Sequence, residues 1–328
     1  MGGFYFQNVM DVFTDEKVIT QIIMKKIFIA LAALATLAAC NKEAAIETPQ
    51  GDAIAFGDAF VDNATKAIYE SAADLKAFKV WGNVKGTNAT PLALYGENGA
   101  NVTYTTNWDC DVVRYWTPSA SYNFTAIANG TGQTCVNGIP TTIAYTQNAA
   151  DPADLLYGVA TANTAADCTP NGDIEEGRVA FTLRHLLSRV KVQFENQIAA
   201  DGYTYDITNV KITTAGTGVY TIDAATPWAP AAETVDLPYA SFTDLDATIA
   251  PAGAQLIIPG ASVVLSFDYV LKFNGTGIYS ETVTKTVATP LEEGNSYNLN
   301  VQLKAGNKID FTIVNDDLGW ADGASSNI

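Results

Sequence analysis

Few residues in this 328-residue chain could carry chemistry: four cysteines, one histidine and thirty-five carboxylates. Cys40 has the most distinctive setting. It ends thirteen residues, Ile27 to Ala39, that are apolar apart from Thr36, and the polar stretch Asn41-Lys42-Glu43 begins at once. Met24-Lys25-Lys26 stands just before the run, so a basic segment, a short apolar segment and small residues follow in the order of a secretory signal peptide. The run falls well short of the roughly 20 residues that span a bilayer, which argues against a permanent transmembrane helix.

The other candidates lead nowhere catalytic. Cys110, Cys135 and Cys168 permit one disulfide in an oxidising compartment, with its connectivity open. No C-x-x-C or Cys/His spacing is present, and a lone His185 does not make a zinc site. His185 opens an amphipathic strand in "RHLLSRVKV", where a structural role outweighs that of a general base. No G-x-S-x-G, P-loop or dinucleotide fingerprint occurs. Carboxylates are too numerous for any pair to single out glycoside hydrolysis. Asp316 and Asp317 in "VNDDLGW" lack the spacing and terminal Glu of an EF-hand, so a solvated turn is expected there. The expectation is a protein that is not an enzyme, with no metal and no cofactor.

Leu37-Ala38-Ala39-Cys40 resembles the lipobox of bacterial lipoprotein signal peptides, in which the cysteine becomes the lipidated N-terminus of the mature chain. The resemblance implies a thioether from the Cys40 thiol to diacylglycerol, which takes it out of redox chemistry and anchors the chain to a membrane. Residues 1–23 have no signal-peptide logic, so translation is expected to start at Met24. Removing residues 1–39 takes away three basic and three acidic residues and leaves the net charge at −17. Such a surface repels phosphate backbones, so nucleic acid is not an expected partner.

Period-two patterning is the strongest signal of local structure. In "SVVLSFDYVLKF", Val263, Leu265, Phe267, Tyr269, Leu271 and Phe273 share one face. "YNLNVQL" puts Tyr297, Leu299, Val301 and Leu303 inward, "KIDFTIV" puts Ile309, Phe311 and Ile313 on one side, and the "KAGN" between them predicts a hairpin. "RVKVQF" alternates through Val190, Val192 and Phe194. "AIAFGDAF" places Ile54, Phe56 and Phe60 on one face, with Asp58 intruding on it. A short helix from Ser71, with Asp74 in a capping box, competes with a turn. The segment from Tyr95 to Asp154 reads as loop-rich, and the N-x-[ST] triplets at Asn63, Asn101, Asn123 and Asn274 read as turns. Strands without helices between them predict an all-β fold of antiparallel sandwiches. A boundary is expected in "TPNGDIEEGR".

Several landmarks together resemble the fimbrillin (FimA/Mfa-like) pilins of Bacteroidetes, the lipoprotein-precursor family of type V pili. They are the Cys40 lipobox, "IAFGDAF" followed by "NATKA", "RYWTPSASYNFTAIA", "VAFTLRHLLSRVKVQF" and the C-terminal "GNSYNLNVQLKAGNKIDFTIVNDDLGW". The three further cysteines and a long insert, "ADPADLLYGVATANTAADCTPNGD", are departures. The resemblance implies two tandem transthyretin-like β-sandwich domains. The expected divisions are 1–39 for extension and signal peptide, 40–66 for a lipidated segment with a removable strand, and 67–184 and 185–328 for the two sandwiches.

The implied function is a structural subunit, stalk or tip, of a cell-surface fimbria. It would travel to the outer membrane as a lipoprotein and assemble by strand exchange with other copies of itself or related pilins. In the family a trypsin-like protease cuts after a basic residue beyond the first strand. Here that cut would follow Lys66 and leave Ala67 first, although Lys replaces the family's usual Arg. Ile54, Phe56 and Phe60 mark the removable strand, and Ile309, Phe311 and Ile313 the donor segment within 305–328. A second reading is a monomeric outer-membrane lipoprotein that binds glycans through Trp108, Tyr115 and Trp116, with a host or glycan ligand as its partner. A third is a β-sandwich hydrolase.

Overall fold

The computed structural model describes residues 53–61, 75–87, 89–117, 120–150, 152–162, 174–175, 178–246 and 249–315; for 58–61, 161–162, 174–175 and 200 it describes the backbone alone. The sequence expectations for Cys40, Lys66, Ala67, Cys168, the helix at Ser71 and the Asp316-Asp317 turn lie outside these residues. In the first half the strands are β1 Ala55–Val61, β2 Ala77–Lys85, β3 Leu92–Ala93, β4 Ala100–Tyr104, β5 Trp108–Cys110, β6 Ser121–Ala128, β7 Gly132–Val136, β8 Ile139–Thr146, β9 Leu156–Ala162, β10 Ile174–Glu175 and β11 Arg178–His185. The second half continues with β12 Ser188–Asn196, β13 Tyr203–Ala215, β14 Thr217–Thr221, β15 Trp228–Pro230, β16 Thr234–Pro238, β17 Phe242–Leu245, β18 Ala250–Ile257, β19 Val263–Phe273, β20 Thr276–Val287, β21 Ser296–Lys304 and β22 Lys308–Asn315. The all-β, mostly antiparallel expectation holds.

The largest sheet runs β1-β11-β9-β6-β2-β4-β5, with β3 and β10 attached at its side. Its middle strands are buried on both faces. On β2, Phe78 and Val80 point one way and Trp81 the other, and all three are buried. Two-sided burial removes the apolar-polar alternation that reveals a strand in sequence. Five strands, β4 to β8, occupy the stretch that reads as loop, and of these β6 is buried on both faces. Asn101 and Asn123 sit within strands, a correction to their reading as turns. The "insert" likewise supplies β9, an interior strand between β11 and β6.

The second half shows the predicted pattern more openly. Sheet β18-β12-β21-β22 faces sheet β16-β13-β19-β20, with β17 attached to β13. Between them lies a core that includes Val190, Val192, Phe194, Val263, Leu265, Phe267, Tyr269, Leu271, Tyr297, Leu299, Val301 and Leu303. All were expected on inward faces. Phe273, at the end of its strand, is exposed instead. The Asn274-Gly275 reversal joins β19 to β20 with φ of 50° and 77°, the conformation that a two-residue hairpin demands and that Asn-Gly adopts readily. The predicted hairpin of β21 and β22 is present, turned through Gly306 and Asn307 at positive φ.

The expected boundary between 184 and 185 falls just before the last residue of β11, His185, which closes that strand instead of opening the next one, and one sheet takes strands from both sides of it. Its order is β15-β14-β8-β7. A second core mixes Trp81, Ile127, Ile143 and Tyr145 with Leu186, Leu187, Tyr220, Leu256 and Ile258. At this junction His185 Nδ1 meets Asp154 Oδ2, both side chains almost wholly buried. Burial pushes the Asp154 carboxyl above its ordinary range, while the hydrogen bond and charge of His185 pull it down. Breaking a buried pair from one side leaves the remaining polar group poorly compensated. His185→Ala is expected to cost about 3–5 kcal/mol in urea unfolding, and adding Asp154→Ala should recover part of that loss.

Candidate functional site

β1 is the terminal strand of the largest sheet. It pairs in parallel with β11, from Ala55 opposite Arg178 to Val61 opposite Leu183. Just before it, Ile54 N–H donates to Arg114 O at 2.7 Å and Ala53 bridges Tyr115. The start of β1 therefore also touches the segment that follows β5, at the far end of the strand order. Along its length β1 is held by one neighbour, the arrangement that leaves a strand's outer N–H and C=O groups unpaired by the sheet.

The strand nevertheless carries a core residue. Phe56 is 1% exposed. Its ring lies 6.1 Å from Phe181 in a stacked arrangement, 6.4 Å from Phe78 and 6.2 Å from Phe124 edge-on, and 6.4 Å from Tyr95. Each such aromatic contact adds roughly 0.5–1.5 kcal/mol beyond the area buried. Ile54 is buried with it. Gly57 lies against the β11 backbone, where an added Cβ would sit 3.4 Å from the Cβ of Arg178. A register shift between Phe56 and Ala59 interrupts the alternation on which a common face for Ile54, Phe56 and Phe60 depends. Phe60 stands opposite Thr182 in the backbone register, and its side chain is outside the described set.

The other sequence-derived segment, β22, is also a sheet edge. All eight of its residues pair with β21 and it closes the order β18-β12-β21-β22. Ile309, Phe311 and Ile313 are half-buried against the second-half core. Lys285 of β20 stands over the Phe311 ring, 5.6 Å from its centre, so the edges of the two facing sheets approach each other here.

The remaining candidates resolve into packing. Trp108 and Trp116 are each 5% exposed. Trp108 packs on Phe78 and Tyr104, and Trp116 on Tyr122 and Phe124. Of the proposed glycan platform only Tyr115 reaches solvent, at 38%, so these residues do not form one. Cys110 and Cys135 are free thiols. Their Sγ–H groups face Val112 O and Glu97 O, and burial pushes both thiols above their ordinary range, away from reactive thiolate. A signal that sequence reading missed is Arg184, whose guanidinium donates to Glu293 Oε1 at 2.5 Å and to Tyr220 OH at 2.7 Å. Its partners are 36 and 109 residues away, so no local motif announces them.

Comparison with known proteins agrees with this architecture. The family model described as fimbrillin-like matches residues 65–315, and one for a prokaryotic membrane lipoprotein lipid attachment site matches residues 24–41. Within that short span the single cysteine is Cys40. A fimbrial protein from Bacteroides vulgatus has a similar fold, with a TM-score of 0.57 and 15% identity over 80% of this chain and 99% of its own. The fimbrial anchor protein Mfa2 from Porphyromonas gingivalis also aligns, with a TM-score of 0.38 and 12% identity over 81% of this chain and 97% of its own. No curated protein matches in sequence.

Truncating Phe56 in so closed an aromatic cluster should cost about 3–5 kcal/mol, read as a lowered urea midpoint for Phe56→Ala with little change in slope. A fall below 1 kcal/mol would mean that β1 is not part of the stable core. The family match over most of the chain and the lipid attachment signal together mean that this lipid-anchored, exported chain belongs to the fimbrillin-like family.

Proposed function

We propose that the chain is a stalk or tip subunit of a cell-surface fimbria that polymerises by strand exchange. Cys40 carries the lipid that holds the precursor in the outer membrane. Cleavage after Lys66 frees the segment containing β1, and a donor segment including β22 from a second copy or a related pilin takes its place. The observation that carries the reading is the position of β1, a strand with one sheet neighbour that still plugs an aromatic core through Phe56.

The physics of such an exchange is favourable in three respects. Loss of β1 uncovers the outer edge of β11 and a slot between Phe78, Phe124 and Phe181, a template for an incoming strand. Each Phe or Ile buried there by the donor contributes roughly 1.5–3 kcal/mol. Ile309, Phe311 and Ile313 sit on an edge strand and are half-buried, so less surface is uncovered on leaving than if they belonged to an interior strand. A head-to-tail contact of this kind does not close on itself and generates filaments.

The test is mild trypsin treatment of the purified chain, followed by electron microscopy and N-terminal sequencing of any filaments. Subunits beginning at Ala67 are expected, with Lys66→Ala remaining monomeric. Filaments built throughout from intact, Cys40-bearing subunits would reject the exchange. In cells fed labelled palmitate, Cys40→Ser should lose the label and leave the membrane fraction.

A further inference from the structure

A cleft of about 700 Å³ opens where the two halves meet, lined by Arg184 of β11, the β14–β15 loop, the turn after β18 and the segment before β21. That volume lies within the roughly 300–1,000 Å³ range of small-molecule sites, which favour such junctions. The fimbrial assembly just described makes no use of it.

We propose that this cleft binds a neutral pyranose, as a free sugar or a terminal glycan unit. The charges on its walls narrow the class of ligand. Arg184, paired with Glu293, shares the lining with Asp223 and Glu292, so acidic groups outnumber basic ones and an anionic sugar would be repelled. A cation is disfavoured for a different reason. Arg184 already lies over the rings of Tyr157 and Tyr220, 5.4 and 5.9 Å from their centres, so the aromatic seat for a positive charge is filled.

What remains suits a ring with an apolar face and hydroxyls around it. Trp228 is half-buried, packs edge-on against Tyr220 and donates its indole N–H to Leu186 O at 2.9 Å, so it offers a ligand only apolar surface. Pro259 and Leu291, both largely buried, line the cleft beside it. The polar complement is mixed. Arg184 has spent two of its five donors on Glu293 and Tyr220. The other oxygen of Glu293, Oε2, is buried out of reach of the cleft, so the open carboxylate is Asp223, which stands exposed on the loop at a φ of 60°. Hydroxyls both donate and accept, so they can satisfy donors and carboxylates together; an aliphatic ligand would leave them unmatched.

The experiment titrates the full chain, in a detergent without a sugar headgroup, with glucose, galactose, mannose and N-acetylglucosamine. Tryptophan fluorescence and saturation-transfer NMR report binding, with sialic acid and lysine methyl ester as charged comparisons. A saturable response to at least one neutral sugar is expected. It should weaken about tenfold in Asp223→Gly, which suits the positive φ, with the loss of a hydrogen bond to a charged group. It should vanish in Ala225→Arg, which fills the cleft from an exposed position, with the thermal midpoint of both variants unchanged. No saturable response, an equal response in both variants, or preference for either charged compound would overturn the assignment. Since filaments play no part in the measurement, its failure would leave the assembly reading untouched.

Discussion

Phe56 must be buried among rings contributed by four other stretches of chain, yet the strand that carries it has a sheet neighbour on one side only. Those two requirements pull against each other. Burial of a large aromatic ties the strand to the core, because exposing it forfeits both transfer free energy and ring contacts. An edge position makes the same strand separable, since removing it breaks one ladder and leaves the rest of the sheet paired. The proposed strand exchange would draw on both properties at once.

The second edge is built with a softer compromise. β22 rests its apolar residues on the second-half core at partial burial, and the single-turn connection to β21 lets it stay in register without deep anchoring. Between the two edges lies the most tightly shared part of the molecule. The β15-β14-β8-β7 sheet, the mixed core around Trp81 and Leu256, and the His185–Asp154 contact join the halves through buried groups. The middle of the molecule is therefore held together by buried groups that neither edge strand contributes.

Legibility in the sequence followed solvent exposure. β12, β19 and β21 each have one face on the core and the other outward, so alternation exposed their inward residues in advance. β4 to β9 could not be read in the same way. β2 and β6 are covered on both faces, β7 has little buried surface, β4 and β5 are short, and β9, LYGVATA, carries no polar residue but Thr161 to mark an alternation. Trp108 and Trp116 illustrate the ambiguity: aromatic clustering looks alike whether the rings form a platform or a core, and only their partners, Phe78, Tyr104, Tyr122 and Phe124, distinguish the two.

By itself the sequence determined what depends on neighbouring residues: export and the lipid attachment signal at Cys40, the all-β class, and the hairpin of β21 and β22. These rest on local runs, period-two patterns and turn chemistry, none of which needs distant contacts. The tertiary structure alone decided that β1 is a terminal strand with Phe56 in a cage of rings, that one sheet draws on both halves, and that Arg184, Tyr220, Trp228 and Glu293 meet around a cleft. Each of those facts is a meeting of residues far apart in the chain, and chain order places no constraint on such a meeting until sheets have chosen their partners.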